Sequence, residues 1–465
     1  MKLPEPGAGA TPDHPSVTRP AAVDRLAQHG KVLIVASIFF IALGVRLINW
    51  QSHHDEALTV QTSVALNYKH QARLLKTNGV ASLYVASSPT NNPDLLGHPP
   101  GYPILLSILY RVGGEHDTVT QFLQIILDSL SVVIILLIAF EFFPAAIGVN
   151  AGLMAACAPQ FSWNSLTLLP DSLATLPILV AVLIITKARS RPDAPGRSQL
   201  LSILIAGALI GVSIWLRANA LLLAPFLALL LFFIYKRDAR LRFALALVCG
   251  VLLIIIPLTI RNLAVFGKFI PVSLGAGQTL VEGIADYNTH GSLGLPQTDV
   301  ELIRNEADIY KRPDYANSLF TPDGTERDRA RLARGVAVIR AHPFWFAGVM
   351  IRRAASMLRL ERTPLRLAAT DSGGSSLLQW PLRIVQRLFI TALFLPLTLI
   401  GAGSLLYWRQ FQTLALLLAV PCYYFCTQSA LHTEYRYVLV IHYFLFVLAA
   451  VAIYTIAISV KRLLR

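Results

Sequence analysis

Charge is what this sequence lacks most. Only 14% of its 465 residues are Asp, Glu, Lys or Arg, whereas 55% are hydrophobic, and the mean hydropathy is +0.57. Soluble domains carry roughly 25% charged residues, so a water-facing surface over the whole chain is excluded. Cysteine is scarce too: Cys157, Cys249, Cys422 and Cys426, all in apolar stretches. Cys422 and Cys426 stand four apart, yet no nearby His or Cys pair completes a zinc set, and all four read as small buried residues. Alternating apolar and polar runs are missing, which argues against a membrane barrel. The N-terminal stretch lacks a small-residue cleavage pattern after its first apolar run, Val32 to Ile48, so that run reads as an uncleaved signal anchor. No internal repeat is visible.

Continuous apolar runs are what the sequence has. Spans of about 20 residues cross a hydrocarbon core as helices, and they fall at 32–49, 120–140, 146–166, 172–187, 199–214, 219–235, 242–260, 385–406, 411–429 and 437–459. The expected fold is an all-α polytopic membrane protein of about ten transmembrane helices with large external loops. The net charge of +14 follows from the positive-inside rule rather than from nucleic-acid binding. Three basic clusters, Lys187/Arg189/Arg191/Arg197, Lys236/Arg237/Arg240/Arg242 and Lys461/Arg462/Arg465, share one face if the N-terminus is cytoplasmic. Both termini are then cytoplasmic, in a plasma or inner membrane.

This topology divides the chain into a cytoplasmic tail (1–31), a transmembrane module (32–260) holding a first external loop at 50–119, an external region (261–384), and C-terminal helices with a short tail (385–465). Residues 102–112 are apolar but too short to span. Residues 344–359, with Phe344, Trp345, Phe346, Arg352 and Arg353, read as a helix in the interface plane. The charged part of the external region, about 298–340, with Glu301, Arg304, Glu306 and Asp308, reads as a solvated helical face.

The ionisable residues that remain collect at the external face. His53-His54-Asp55-Glu56 follow the first span, and Pro170-Asp171-Ser172 form a short second external loop. Asp171 suits a helix N-cap, and the first group suits a solvated helix end. Arg217, Arg261-Asn262 and His432-Thr433-Glu434-Tyr435-Arg436-Tyr437 end other spans on that face. Each arginine alone would serve as a headgroup anchor; several opposite charges at one membrane level point to function. Asp128 and Glu141, in the second span, are exceptions to this clustering.

The ordered motifs Asp55-Glu56, His98-Pro99-Pro100-Gly101-Tyr102-Pro103, Pro159, Leu169-Pro170-Asp171, Arg217, Pro257 to Asn262, Phe266 to Ser273 and Glu434-Tyr435-Arg436-Tyr437 resemble those of the GT-C fold glycosyltransferases that use polyprenyl-phosphate sugars. Protein O-mannosyltransferases and lipid A aminoarabinose transferases (glycosyltransferase family 39) belong to that group. The resemblance runs from about residue 32 to 459. It implies a GT-C-like helical bundle and an external active site. It also implies a polyprenyl-phosphate-linked sugar donor and a lipid, glycan or protein acceptor in the membrane.

On this resemblance Asp55 and Asp171 are the catalytic candidates, with Asp55 the base of an inverting transfer. Arg436, Arg261 and Arg217 are candidates for the donor phosphate, whose oxygens match guanidinium forks. Glu56, His54, His98, Tyr102 and Glu434 are candidates for substrate contact. The resemblance implies no definite cofactor and leaves room for a divalent metal. The chain departs from the aminoarabinose branch, carrying Gly97-His98 where that branch has Glu-Lys, and Val438 where proline commonly follows Arg-Tyr. A transporter or flippase of a lipid-linked substrate is the alternative; it would place its ionisable groups near the bundle midplane. A non-catalytic assembly subunit shares the fold without needing convergent charges.

Overall fold

The computed structural model describes residues 21–189, 196–235, 237–288, 291–361 and 379–464. Most of the expected tail, and Arg191, Lys236 and Arg465 of the basic clusters, lie outside the described residues. No strand occurs among the described residues.

The first helix, α1 (Ala21–Leu58), is longer than its apolar run. Nothing between Asn49 and Leu58 breaks a helix, so the polar His53–Glu56 stretch simply continues it. Asp55 and Glu56 therefore stand on its last turn rather than in a loop. Gln61, with φ at 52°, turns the chain into α2 (Thr62–Asn78). Three short 3-10 turns lead to α3 (Gly101–Val112), the apolar segment too short to span. The chain continues through α4 (Asp117–Phe140), α5 (Ala145–Cys157), α6 (Pro159–Asn164), α7 (Asp171–Arg189), α8 (Arg197–Leu216), α9 (Leu223–Ile234) and α10 (Arg237–Phe266). The span expected at 146–166 is in fact two helices, because Pro159 cannot continue α5 and opens α6 instead.

A second group of helices follows: α11 (Ala276–Ala285), α12 (Asp299–Tyr310), α13 (Gly324–Ala341) and α14 (Pro343–Met357). The last part comprises α15 (Gln379–Arg387), α16 (Thr391–Tyr407), α17 (Phe411–Gln428) and α18 (Leu439–Leu463). Among the described residues six helices are long and apolar enough to cross a membrane, or seven if α15 and α16, bent by 61°, form one broken span. The other segments expected to span are shorter or less apolar helices.

The core is built on α18. From Leu439 to Ala452 it is buried on nearly every side, as an apolar helix at a bundle centre must be; α4, α5, α7, α16 and α17 pack around it. Small residues set the closest crossing: a Cβ on Gly207 of α8 or Gly250 of α10 would collide with the facing backbone. Apolar side chains that stay exposed, such as Phe40, Phe233, Leu253 and Leu399, form the lipid-facing surface. Cys249, Cys422 and Cys426 lie on this outer surface as well, so the expectation that they are buried is corrected.

Two charged clusters are buried. In the bundle, Arg46 of α1 donates to Asp128 of α4 at 2.6 Å and to the carbonyls of Ala42 and Ala156. In the α11–α14 group, Glu306 accepts from Arg327 and Arg331 at 2.9 and 2.6 Å, so Glu306 sits inside a helical interface. Glu301, Arg304 and Asp308 on the same helix are exposed as expected.

Helix direction sorts the ends of the bundle. Asp171 opens α7 and Arg189 closes it. Arg436 precedes α18, and Lys461 and Arg462 end it. Arg189 also donates to Gln412 near the start of α17. One end thus gathers the basic clusters and the other gathers the site residues.

Candidate active site

The end opposite the basic clusters contains a small cavity, lined by Asp171, Ser213, Arg217, Asn219, Arg436 and Tyr437 among others. Asp171 begins α7, but its carboxylate accepts no backbone hydrogen bond and so does not cap the helix. It faces two guanidiniums instead: Arg217 Nη1 at 3.0 Å and Arg436 Nη1 at 3.6 Å. Neither contact is an aligned hydrogen bond, because both Asp171 oxygens, Arg217 Nε, Arg436 Nη1 and Asn219 Nδ2 are buried without a hydrogen-bond partner. Buried groups of this kind are normally paired, so three unspent donors around one cavity are unusual.

Arg436 is anchored from its other side. Its Nε and Nη2 fork onto Glu434 at 2.9 and 2.8 Å. The Tyr437 ring lies against both cations, 3.9 Å from Arg217 and 5.0 Å from Arg436, a geometry that stabilises cations on an aromatic face. Burial pushes the Glu434 carboxyl up, but the hydrogen bonds and charge of Arg436 outweigh it and hold the group below its usual range. Gln61, at the start of α2, donates to Glu434 as well, which ties the first external loop to this end.

An aromatic wall closes one side. Tyr68 of α2 meets His98 at 5.1 Å and Tyr102 of α3 at 5.2 Å. Tyr102 donates to Gln124 of α4 at 2.8 Å, and Gln124 donates to the Thr167 carbonyl. Pro99 and Pro100 stiffen the backbone before α3, and Gly101 lets that turn press against the backbone of α8 at Trp215. Burial, reinforced by the charges of Arg217 and Arg436, pushes His98 down to about 4. It is therefore a neutral imidazole beside two cations.

The structure brings Asp171, Arg217, Arg436 and Glu434 together, with His98 in their field and Tyr102 behind it. It does not bring the α1 group into that cluster. The Asp55 side chain is 87% exposed, with His54 Nε2 at 3.5 Å. Glu56 pairs with His53 at 3.1 Å. His54 stacks on Trp50 and bonds to its carbonyl. Gln121 of α4 fixes this helix end by accepting from Trp50 and donating to the carbonyls of His54 and Leu166.

Arg261 is not with the other arginines either. It is buried, donates to Leu83 at 3.0 Å, to Asn262 at 2.8 Å and to Asn91, and lies against Phe266. The expected phosphate contact therefore gives way here to a tie between α10 and the first external loop. Among the described residues no group of three His, Cys, Asp or Glu side chains is placed to hold a metal.

Sequence reasoning placed Tyr437 in a motif without a role, and missed Tyr68, Asn219 and the supporting glutamines. A signal for the last was present: Gln121, Gln124, Asp128 and Ser131 form a polar stripe at helical spacing on apolar α4.

This arrangement defines a polytopic helical protein of the GT-C fold with a charged site at one end of its bundle. Residues 97–260 match the family described as dolichyl-phosphate-mannose-protein mannosyltransferase. Among solved structures, the oligosaccharyltransferase AglB of Archaeoglobus fulgidus, in complex with an inhibitory peptide and a dolichol-phosphate, is 17% identical with a TM-score of 0.53; the match covers 94% of this chain and 52% of that one. The same archaeal enzyme with Zn and sulfate gives 15%, 0.52, 92% and 49% in the same order. ArnT from Cupriavidus metallidurans bound to undecaprenyl phosphate is 17% identical, with a TM-score of 0.39 over 92% of this chain and 78% of that one. The chain spans about half the length of the archaeal enzyme. No curated protein matches it.

Proposed function

We propose that this chain is a membrane glycosyltransferase that moves a sugar from a polyprenyl-phosphate donor to a hydroxyl on the external face of a cell membrane. The observation that carries the reading is the pair of guanidiniums, Arg217 and Arg436, presenting unpartnered buried N–H donors to one cavity beside Asn219. Such a set fits the oxygens of a phosphate leaving group, and fixed charge of this kind stabilises a departing anion strongly. The matched family region 97–260 contains Asp171, Arg217 and His98. The archaeal structure with dolichol-phosphate shares the fold.

In the proposed reaction the acceptor oxygen attacks the anomeric carbon. The bond from that carbon to the phosphate oxygen breaks, its electron pair stays with the phosphate, and the acceptor proton passes to Asp55. One displacement inverts the anomeric centre. Asp55 is free of any buried partner and open to an acceptor. Asp171 holds the two guanidiniums apart and oriented, and Glu434 fixes the fork of Arg436. Arg261 keeps the loop over the site.

The test is transfer of labelled sugar by the purified full chain from membrane-extracted polyprenyl-phosphate donors, with melting temperature as the folding control. Asp55→Asn is expected to fold normally and lose transfer by roughly 10²–10⁴-fold, the usual scale for a general base. Glu56→Gln costs less. A fully active Asp55→Asn protein removes the base from the scheme.

A further inference from the structure

A second polar chamber, narrow and open to solvent, lies between α1 and α15. Asn49, Ser52 and His53 line it from α1, and Gln379, Arg383 and Gln386 line it from α15. The polarity of α15 is inverted for a helix of a soluble protein. Its exposed side carries Trp380, Ile384 and Val385 with Arg387 at its end, whereas its buried side carries Gln379 and Gln386 beside Leu382. Apolar side chains outward and amides inward are what a helix shows when it meets lipid on one side and encloses a polar site on the other. Gln379 donates to Ser52, and Arg383 donates to Gln379 at 3.2 Å. Asn49 donates to Ser162 at 2.7 Å. Gln386, only 4% exposed, lines the chamber with an Nε2 that has no partner.

The chamber touches the reaction path. Asp55 follows Ser52 by three residues on α1, about one helical turn further along. The His53 ring meets the Trp163 ring edge-on at 6.4 Å. Trp163 packs in one apolar cluster with Tyr435, the residue before Arg436. The chamber is therefore joined by one aromatic wall to the loop that carries the arginine site.

We propose that this chamber is the acceptor subsite, and that it takes a neutral saccharide whose reactive hydroxyl points along α1 to Asp55. The inference rests on the glycosyl-transfer reading above and adds the chemical class of the acceptor. Amide and hydroxyl side chains each donate and accept, as sugar hydroxyls do. An anionic headgroup would find a single guanidinium here, already shared with Gln379. Aromatic edges from His53 and Trp163 border the polar groups.

The test uses the full chain in phosphatidylcholine vesicles, with Gln386→Cys labelled by a methanethiosulfonate and the modification at position 386 read by mass spectrometry. A second cysteine at Asn317, exposed and outside the candidate spans, serves as the internal control. Monoglucosyl diacylglycerol in the bilayer and maltohexaose in the buffer are the two saccharide probes. At a probe concentration about ten times its dissociation constant, labelling slows about tenfold by mass action. Slowing by the glycolipid alone assigns a lipid-borne acceptor, and slowing by maltohexaose assigns a free glycan; both support the subsite. No slowing by either probe, or equal slowing by phosphatidylglycerol without sugar, overturns it. Ser52→Cys on the facing wall gives the same measurement if Gln386→Cys does not fold. Because the readout is labelling, it stands apart from the loss of transfer in Asp55→Asn.

Discussion

Replacing Asp128 by Asn removes one charge from the centre of the bundle and nothing else of consequence to its shape. Arg46 is fully buried and Asp128 is 2% exposed. The guanidinium donates from Nε to Asp128 Oδ2 at 2.6 Å, with Nη2 in unaligned ion-pair contact with the same oxygen, and Nη1 donates to the Ala42 and Ala156 carbonyls at 3.0 and 3.2 Å. Tyr443 of α18 donates to the other Asp128 oxygen at 3.3 Å. Four helices, α1, α4, α5 and α18, thus meet at one ion pair. Without its carboxylate, the guanidinium is left buried and uncompensated. Breaking a buried pair from one side costs about 3–5 kcal/mol.

Removing both charges, as in Arg46→Met with Asp128→Leu, costs far less, within about 2 kcal/mol, because well-packed apolar groups replace a desolvated pair with little net loss. The two single substitutions and the double form a cycle whose coupling is about 3 kcal/mol or more. Unfolding in mixed micelles with increasing denaturing detergent, followed by near-ultraviolet dichroism, measures it. Single variants that cost less than about 1 kcal/mol, or a cycle that closes additively, would refute the claim that this pair locks α1 and α4 together.

Three further outcomes are expected. Arg436→Ala lowers kcat/KM for the lipid-phosphate donor by about ten- to a hundredfold, the scale of a charge-assisted hydrogen bond. Arg436→Lys restores part of it, because an ammonium cannot reproduce the fork onto Glu434; variants indistinguishable from the unsubstituted protein would make Arg436 an anchor only. Melting temperature responds to two histidines with opposite slopes. His98 takes its proton near 4 when folded and near 6.5 when unfolded, so stability falls as pH drops through that window, and His98→Gln flattens it. The hydrogen bond that His432 donates to Asp286 lifts its pKa above the ordinary value against the effect of burial. Its contribution is complete below about 6.5 and is lost as pH rises through the raised folded value, and Asp286→Asn removes that slope. For topology, a cysteine at Asn317 reacts with an impermeant reagent in intact cells while one at Lys461 resists; labelling at 461 from outside would reverse the orientation.

Length, depleted charge and continuous apolar runs by themselves determined that this is a helical membrane protein, since a hydrocarbon layer tolerates little else. The placement of Asp171, Arg217, Glu434 and Arg436 at helix ends on one face was legible too, because charge is expelled from spans wherever it is not needed. The breaks were less legible. Pro159 marks the division of the 146–166 run, but where α1 ends depends on Gln61 adopting a left-handed turn, which no local pattern announces. Only the tertiary structure decided which charges meet. Arg46 and Asp128 are separated by 82 residues and lie in spans that look merely interrupted when read singly. Arg261 and Arg436 look alike in sequence, yet one guanidinium is consumed by loop carbonyls and amides while the other keeps a free edge toward a cavity. Asp55 and Asp171 look like equals on the same face. Their surroundings separate them, since one carboxylate is open to solvent on a helix end and the other is buried between two cations. Pairings of that kind depend on which helices touch, and helix packing is set by small residues such as Gly207 and Gly250 far from the charges themselves.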